Sequence, residues 1–483
     1  MSVIAIVFVV YLLILAALAL WSRREARTMS GYFIAGKKLP PWVVAFSTNA
    51  TGESGWLLLG LTGMGYSVGV HAYWVVAGEV TGIAVAWLLM SRRIKRMADE
   101  HGSITVPDVL ASRFNDKNHV LRKISTLIIL AMVGTYIAAQ MVATGKAFSG
   151  FTELTYGAGV VFGAAIIIIY TLVGGYKAVA WTDLIQGILM LSGLIIVPIV
   201  AVTAAGGWDA VVHTLAMEDP GLLSPWGPDG VSVRAFIAVA SFLAIGVGFV
   251  GVPQLMVRFM SARSEQSLVP AMIISIIVLF LFDVGAVTTG LAGRALFPGL
   301  EDPEGILPLL ALELFSPVFA GVLMVVVLAA IMSTADSLLI MASSAVVRDY
   351  LQKIRSSTKT DAQLARYGKI VTLVIGVLGV IFALNESPLI FWFVIFAWNG
   401  LGAAFGPPLV CALWYPKTTL KGAIIGMLGG FGTTVFWVLF MKPYTYDLLE
   451  IIPGFLVGMV LIIVFSKPNL SSQRHSRGTR PPQ

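Results

Sequence analysis

The chain has 483 residues, 58% of them hydrophobic and 12% charged, with a net charge of +7 and a mean hydropathy of +0.89. Soluble proteins carry about 25% charged residues, so the composition excludes a water-soluble domain, a disordered protein and a coiled coil. The one cysteine, Cys411, rules out an internal disulfide and a thiolate zinc site, and the five scattered histidines (71, 101, 119, 213, 475) suggest no imidazole metal site.

A membrane-crossing helix needs about 20 mostly apolar residues. Thirteen stretches qualify, at roughly 3–22, 40–67, 70–91, 124–147, 155–173, 181–204, 233–257, 268–293, 317–345, 367–385, 388–414, 419–441 and 449–466. The expected fold is therefore an all-α membrane protein with about 13 transmembrane helices. The first stretch reads as a span rather than a cleaved leader, because no basic residue precedes it and Arg23, Arg24 and Arg27 follow it. With this count, 28 of the 32 Lys and Arg residues fall on one side of the membrane; Lys146, Arg234, Arg294 and Lys442 fall on the other. Basic residues collect on the cytoplasmic side, so the amino terminus is expected outside and the carboxyl terminus in the cytoplasm of a cell (inner) membrane. The positive charge is thus a topology signal, and no nucleic-acid partner is expected. The longest outer loop, about 205–232, is acidic (Asp209, Glu218, Asp219, Asp229), and 468–483 form a polar cytoplasmic tail.

Two spans carry sequences that break helices. Span two contains Ser47-Thr48-Asn49-Ala50-Thr51-Gly52-Glu53-Ser54-Gly55, and span seven contains Gly246-Val247-Gly248-Phe249-Val250-Gly251-Val252-Pro253. In lipid, such breaks persist only where the freed backbone groups face protein, water or a ligand. The interruptions lie five spans apart, an odd number, so they start from opposite faces of the membrane. That arrangement predicts an inverted five-helix repeat of the leucine-transporter type, with a binding site at the broken helices. The repeats would be 40–204 and 233–415, within a single domain (1–467) that has an extra helix at 3–22 and two more over 419–466. The alternative for any one glycine-rich helix is close packing. Residues 246–251 also match G-x-G-x-x-G, but that fingerprint needs a preceding strand, and here it lies inside a span.

Ionisable residues at membrane depth are costly and mark function. They are Glu53, Glu79, Asp183, Asp336 and Asp283. In span nine, Ser333, Asp336 and Ser337 share one helical face, and hydroxyls, a carboxylate and loose carbonyls make a hard-oxygen cage suited to a small cation. Alternatively, the hydroxyls bond their own helix backbone, and Asp183 caps a helix after Thr182.

Five stretches carry a resemblance: Gly31-Tyr32-Phe33-Ile34-Ala35-Gly36, Ser54-Gly55-Trp56-Leu57-Leu58, Trp181-Thr182-Asp183, Ala330-Ile331-Met332-Ser333-Thr334 and Trp398-Asn399-Gly400-Leu401-Gly402-Ala403-Ala404-Phe405-Gly406-Pro407. Together they resemble the sodium/solute symporter family, and within it bacterial sodium/proline symporters, through to about residue 467. The resemblance implies sodium-driven uptake, with a sodium site built from the backbone of Ala50, Glu53 and Ala330 and the hydroxyls of Ser333 and Thr334. A second sodium site, known in some members, would map to Asp183, Asp336 and Ser337. The solute would lie near Ser54, Trp56, Tyr136, Phe249 and Pro253. The chain departs from proline symporters at Gly52, where they carry an aspartate, and at Ile245, where they carry an aromatic residue; Tyr136 and Pro253 are retained.

The expected function is a secondary transporter that couples inward sodium flow to uptake of a small organic solute, with L-proline first and pantothenate or another carboxylate as the alternative. No cofactor beyond the coupling sodium ion is expected. A sensor on the same membrane fold would need an output module, and only 17 residues follow Ser466. No nucleophile–base or metal-ligand spacing supports an enzyme.

Overall fold

The structure is a computed structural model described over residues 3–228, 230–385 and 390–466. Asp229, the first two residues of the span expected from 388 and the tail 468–483 lie outside the described residues. The helices that build the membrane body are α1 (Val3–Ser22), α2 (Pro41–Gly52), α3 (Thr62–Val68), α4 (Tyr73–Val85), α5 (Val120–Phe151), α6 (Tyr156–Ala204) and α7 (Val233–Ile245). They continue with α8 (Pro253–Ser261), α9 (Leu268–Leu296), α10 (Pro317–Ser344), α11 (Asp361–Ala383), α12 (Ile390–Trp414), α13 (Leu420–Phe436) and α14 (Ile451–Phe465). Among the described residues, ten helical runs are long and apolar enough to cross a membrane, and Ile451–Phe465 is a shorter apolar helix. Among the described residues there is no strand, only a single parallel bridge between Leu39 and Ala262 that ties the start of α2 to the end of α8.

Two of the long runs each hold two crossings, and counting them so, together with Ile451–Phe465, gives thirteen crossings among the described residues. Trp56–Glu100 turns at Gly69 (φ 64°). Tyr156–Ala204 turns at Gly175 (φ 61°, ψ −165°), with no loop where the apolar pattern predicts one at 174–180. Only glycine takes this conformation without strain, and a Cβ there would lie 2.7 Å from the Tyr32 ring. The chain therefore reverses on one residue. Hydroxyl caps mark several helix starts: Thr155, Ser232 and Thr419 each accept a backbone N–H two or three residues on, and Thr360 forms a capping box with Gln363. The acidic outer segment is not simply a loop; it contains a helix, Trp208–Glu218, held to α9 by Glu218–Arg294 at 2.7 Å.

The run beginning at α10 is the axis of the molecule, with 83% of its most apolar window buried, against 28% for α1 and 22% for the run beginning at α13. An apolar helix that is buried all round needs partners on every side. α10 finds them in α1, α2, α5, α6 and α11, so the polar groups of α10 face other helices rather than lipid.

Candidate functional site

Span two breaks where its sequence predicts. α2 ends at Gly52, Glu53 leaves helical geometry (φ −96°, ψ 72°), and the chain resumes as a widened turn over Trp56–Leu61. A helix end leaves its last carbonyls unpaired, and α10 supplies the donors. Ser333 Oγ donates to Ala50 O at 2.7 Å, and Thr334 Oγ1 reaches Ala50 O at 3.3 Å and Thr51 O at 3.2 Å. Ser333 Oγ also lies 3.0 Å from Ala330 O. Ala50, Ala330, Ser333 and Thr334 are thus one buried set of oxygens bridging α2 and α10. Glu53 sits beside them in sequence, but its carboxylate turns toward Glu79 and Asp283.

Span seven breaks over Gly246–Gly251, and Pro253 starts α8 at the position where its missing N–H costs nothing. The freed Ile245 carbonyl accepts from Trp398 Nε1 at 2.9 Å, and the Trp398 ring meets Phe249 edge-on at 4.9 Å. The two breaks approach each other here, since a Cβ on Gly52 would stand 3.5 Å from the Phe249 ring. On the other side, Tyr136 donates to Ser54 Oγ at 3.3 Å, the Trp56 amide donates to the same oxygen at 3.2 Å, and the Gly55 amide donates to Gln140 Oε1 at 3.2 Å. Ser54, Trp56, Tyr136, Phe249 and Pro253 are all buried. Two wall residues went unassigned in the sequence, Trp398 and Gln140. The first lies in a quoted motif; the second is an amide in an apolar helix.

Asp183, Asp336 and Ser337 also converge, but around a residue that the sequence reading placed at the cytoplasmic edge. Arg258 is 1% exposed. Its guanidinium donates to Ser337 Oγ and lies 3.4 Å from Asp183 Oδ2. Ser47 donates to Asp183 at 2.6 Å, Thr51 Oγ1 lies 3.2 Å from Ser337 Oγ, and the Tyr170 hydroxyl donates to Asp336. This corrects two expectations. Asp183 lies well inside α6 and caps nothing. The deep carboxylates also have a protein cation beside them, because the break lets short α8 carry Arg258 inward. The available signal was the spacing of Gln254, Arg258 and Ser261, which puts polar groups on one face of an apolar segment.

Below this layer an ionic cluster joins the helix Val106–Arg113 to α5 and α10's continuation. Arg122 Nη1 lies 2.6 Å from Asp108 and 2.5 Å from Asp349, and Arg348 Nε donates to Asp108 at 2.8 Å. Burial pushes the Asp108 carboxyl up, but Arg348 and Arg122 outweigh it and hold the group below the usual carboxylate range.

Residues 32–430 match the sodium:solute symporter family. The chain belongs to that family. A sodium/proline symporter of Staphylococcus aureus is 36% identical over 475 residues, spanning 96% of this chain and 92% of that one. A sodium/proline symporter of the JH9 strain is 35% identical over 476 residues, with the same coverage. Among solved structures, a Na+-coupled sialic acid symporter, captured substrate-bound and outward-open, superposes with a TM-score of 0.81 at 18% identity, covering 96% of this chain and 98% of that one. A nucleobase-cation-symport-1 family transporter superposes with a TM-score of 0.53 at 14% identity, covering 92% and 98%. The family match and the shared fold identify an integral membrane protein of symporter type.

Proposed function

We propose that this chain is a secondary transporter that couples inward sodium flow to uptake of a small organic solute, with L-proline the first candidate. The observation that carries the reading is the set of oxygens from Ala50, Ala330, Ser333 and Thr334 across the break of span two. An ion held there would tie α2 to α10, one element from each repeat (40–204 and 233–415), so its binding would bias their relative position. Sodium is bound by carbonyl and hydroxyl oxygens as a hard ion, and no softer ligand is present in that set. Asp183, Asp336 and Ser337 would hold a second sodium ion, with Arg258 shifting away from Ser337 when it binds.

The solute would sit between the two breaks, against Ser54, Trp56, Tyr136, Phe249 and Pro253. The amide groups freed at a broken helix can receive its carboxylate, and the Phe249 and Trp398 rings offer a wall to an apolar body. L-proline ranks ahead of pantothenate and other carboxylates because the relatives at 35–36% identity are sodium/proline symporters. Gly52 and Ile245 enlarge the site relative to proline symporters and loosen its grip on a small ring. The chain acts as a carrier, not an enzyme, and requires no nucleotide. It lies in the inner membrane with its amino terminus outside and its carboxyl terminus in the cytoplasm, an orientation supported by the distribution of Lys and Arg.

Uptake of labelled proline into proteoliposomes tests the reading. Accumulation should require an inward sodium gradient and should not require ATP. Uptake that persists unchanged in sodium-free buffer under a proton gradient would overturn it.

A further inference from the structure

Three carboxylates meet at a point, and only the backbone of one of them, Glu53, belongs to a site described above. Glu53 stands at the break of span two, Glu79 in the middle of α4, and Asp283 in the middle of α9. One oxygen from each lies within 4.8 Å of those from the other two. All three side chains are buried, at 0%, 2% and 0% exposure. Trp56 neighbours the Glu53 carboxyl, and Glu79 and Asp283 lie close enough to share a proton, but both oxygens of Glu53, both of Asp283 and Oε2 of Glu79 lack a well-formed hydrogen bond. Glu79 and Asp283 have Glu53 and each other as electrostatic neighbours, with no Lys, Arg or His among them. The contrast with Asp183 is direct, since that carboxylate has Ser47, Thr51 and Arg258.

A carboxylate buried in the membrane without a partner is expensive. One such group could be a packing accident; a proton shared between Glu79 and Asp283 still leaves three carboxyl groups from three different spans turned to one point with no basic side chain, an arrangement that suits a bound cation. The spacing limits what that partner is. Oxygen ligands at about 2.3–2.6 Å from a hard cation lie no more than about 5 Å apart, which the triad satisfies before any rearrangement. Its place in the fold is equally specific. Gly78, beside Glu79, is so close to span seven that a Cβ would lie 2.6 Å from Leu243 O, and one on Gly246 would lie 1.9 Å from Gly78 O. The triad therefore touches one break through Glu53 and the other through α4, which packs on Gly246–Val250, while α2 meets α9 here and Ala50 meets α10.

We propose that Glu53, Glu79 and Asp283 form a further cation site that takes a small hard metal ion, sodium or calcium. The site is separate from both the Ser333–Thr334 set and the Asp183–Asp336–Ser337 set. It does not depend on which solute is carried.

The test is equilibrium binding of radiolabelled sodium and, separately, of radiolabelled calcium to the purified full-length protein. Wild type is compared with Glu79→Gln, Asp283→Asn and Ser333→Ala. The Gln and Asn variants keep shape and remove charge; size-exclusion profiles identify any that misfold, and Glu53→Gln then replaces a misfolded one. The expected result is that one of the two ions binds wild type with one equivalent more than Glu79→Gln or Asp283→Asn, or at least about tenfold tighter, and that Ser333→Ala retains that equivalent. The ion concerned identifies the source. Identical binding of both ions by wild type and the carboxamide variants overturns the site. So does a carboxamide variant that is more thermostable than wild type with sodium and calcium binding intact, which would mark the triad as neutral packing. Wild-type protein that shows no sodium-driven uptake refutes the proposed function instead, and leaves this binding comparison standing.

Discussion

Removing the hydroxyl of Ser333 is the sharpest perturbation of the proposed coupling. Ser333 Oγ lies 2.7 Å from Ala50 O, whereas Thr334 Oγ1 lies 3.3 and 3.2 Å from the Ala50 and Thr51 carbonyls. Alanine is a good helix former, and α10 is fully packed around this point, so Ser333→Ala should insert and fold. A polar contact to a charged partner contributes about 1.5–3 kcal/mol, and about 1.4 kcal/mol is tenfold in affinity. The half-saturating sodium concentration should therefore rise roughly 10- to 100-fold in Ser333→Ala. Thr334→Val, which keeps the shape, should rise as well, but by less, because its hydroxyl stands farther from the carbonyls it reaches, at 3.3 and 3.2 Å, than Ser333 Oγ does at 2.7 and 3.0 Å. The assay is initial uptake rate against sodium at saturating solute, in proteoliposomes of matched protein content. An Ser333→Ala variant with wild-type sodium dependence but lowered thermal stability would refute the reasoning, because the hydroxyl would then serve only to cap the Ala50 carbonyl.

Arg258→Met strands Asp183 in the interior, and breaking a buried ion pair from one side costs about 3–5 kcal/mol; the variant should lose most of its folded yield, and adding Asp183→Asn should restore it. A single variant as thermostable as wild type would show that the pair is not formed. If Asp183, Asp336 and Ser337 hold a second sodium ion, activation of uptake should be sigmoidal in wild type and hyperbolic in Asp336→Ala; a hyperbolic wild-type curve with one charge moved per solute argues against that ion. Phe249→Ala removes the ring between the two breaks and should weaken proline competition at least tenfold with sodium activation unchanged, and tight proline binding indifferent to this change would misplace the pocket. Asp108 is held below its unfolded value, so its contribution to stability is complete above the unfolded pKa of about 3.9 and is lost as pH falls through the folded value. Thermal unfolding should accordingly separate wild type from Asp108→Asn at neutral pH and bring the two together in acid, whereas a gap that widens in acid would reverse the assigned sign.

The parts of this molecule legible in its sequence are those where a single segment carries both the cost and the reason for it. Residues 47–55 put hydroxyls, an amide, a glycine and a carboxylate in the middle of an apolar span, so the break at Glu53 can be read from that stretch alone. The turn at Gly175 could not be read so, because a loop and a one-residue reversal have the same local composition; the difference is made by Tyr32, which closes over the turn from another element. Arg258 was misplaced for a related reason. A basic residue that ends an apolar stretch ordinarily snorkels to the interface, and this one is instead buried against Ser337 and Asp183 on the short helix that follows the break. The carboxylate triad is the limiting case. Glu79 and Asp283 each announce a cost in sequence, but separated by 204 positions in the chain they announce no partner, and only the fold, which brings α4 and α9 together beside the break at Glu53, gathers three separate carboxyl groups around one place that a cation could occupy.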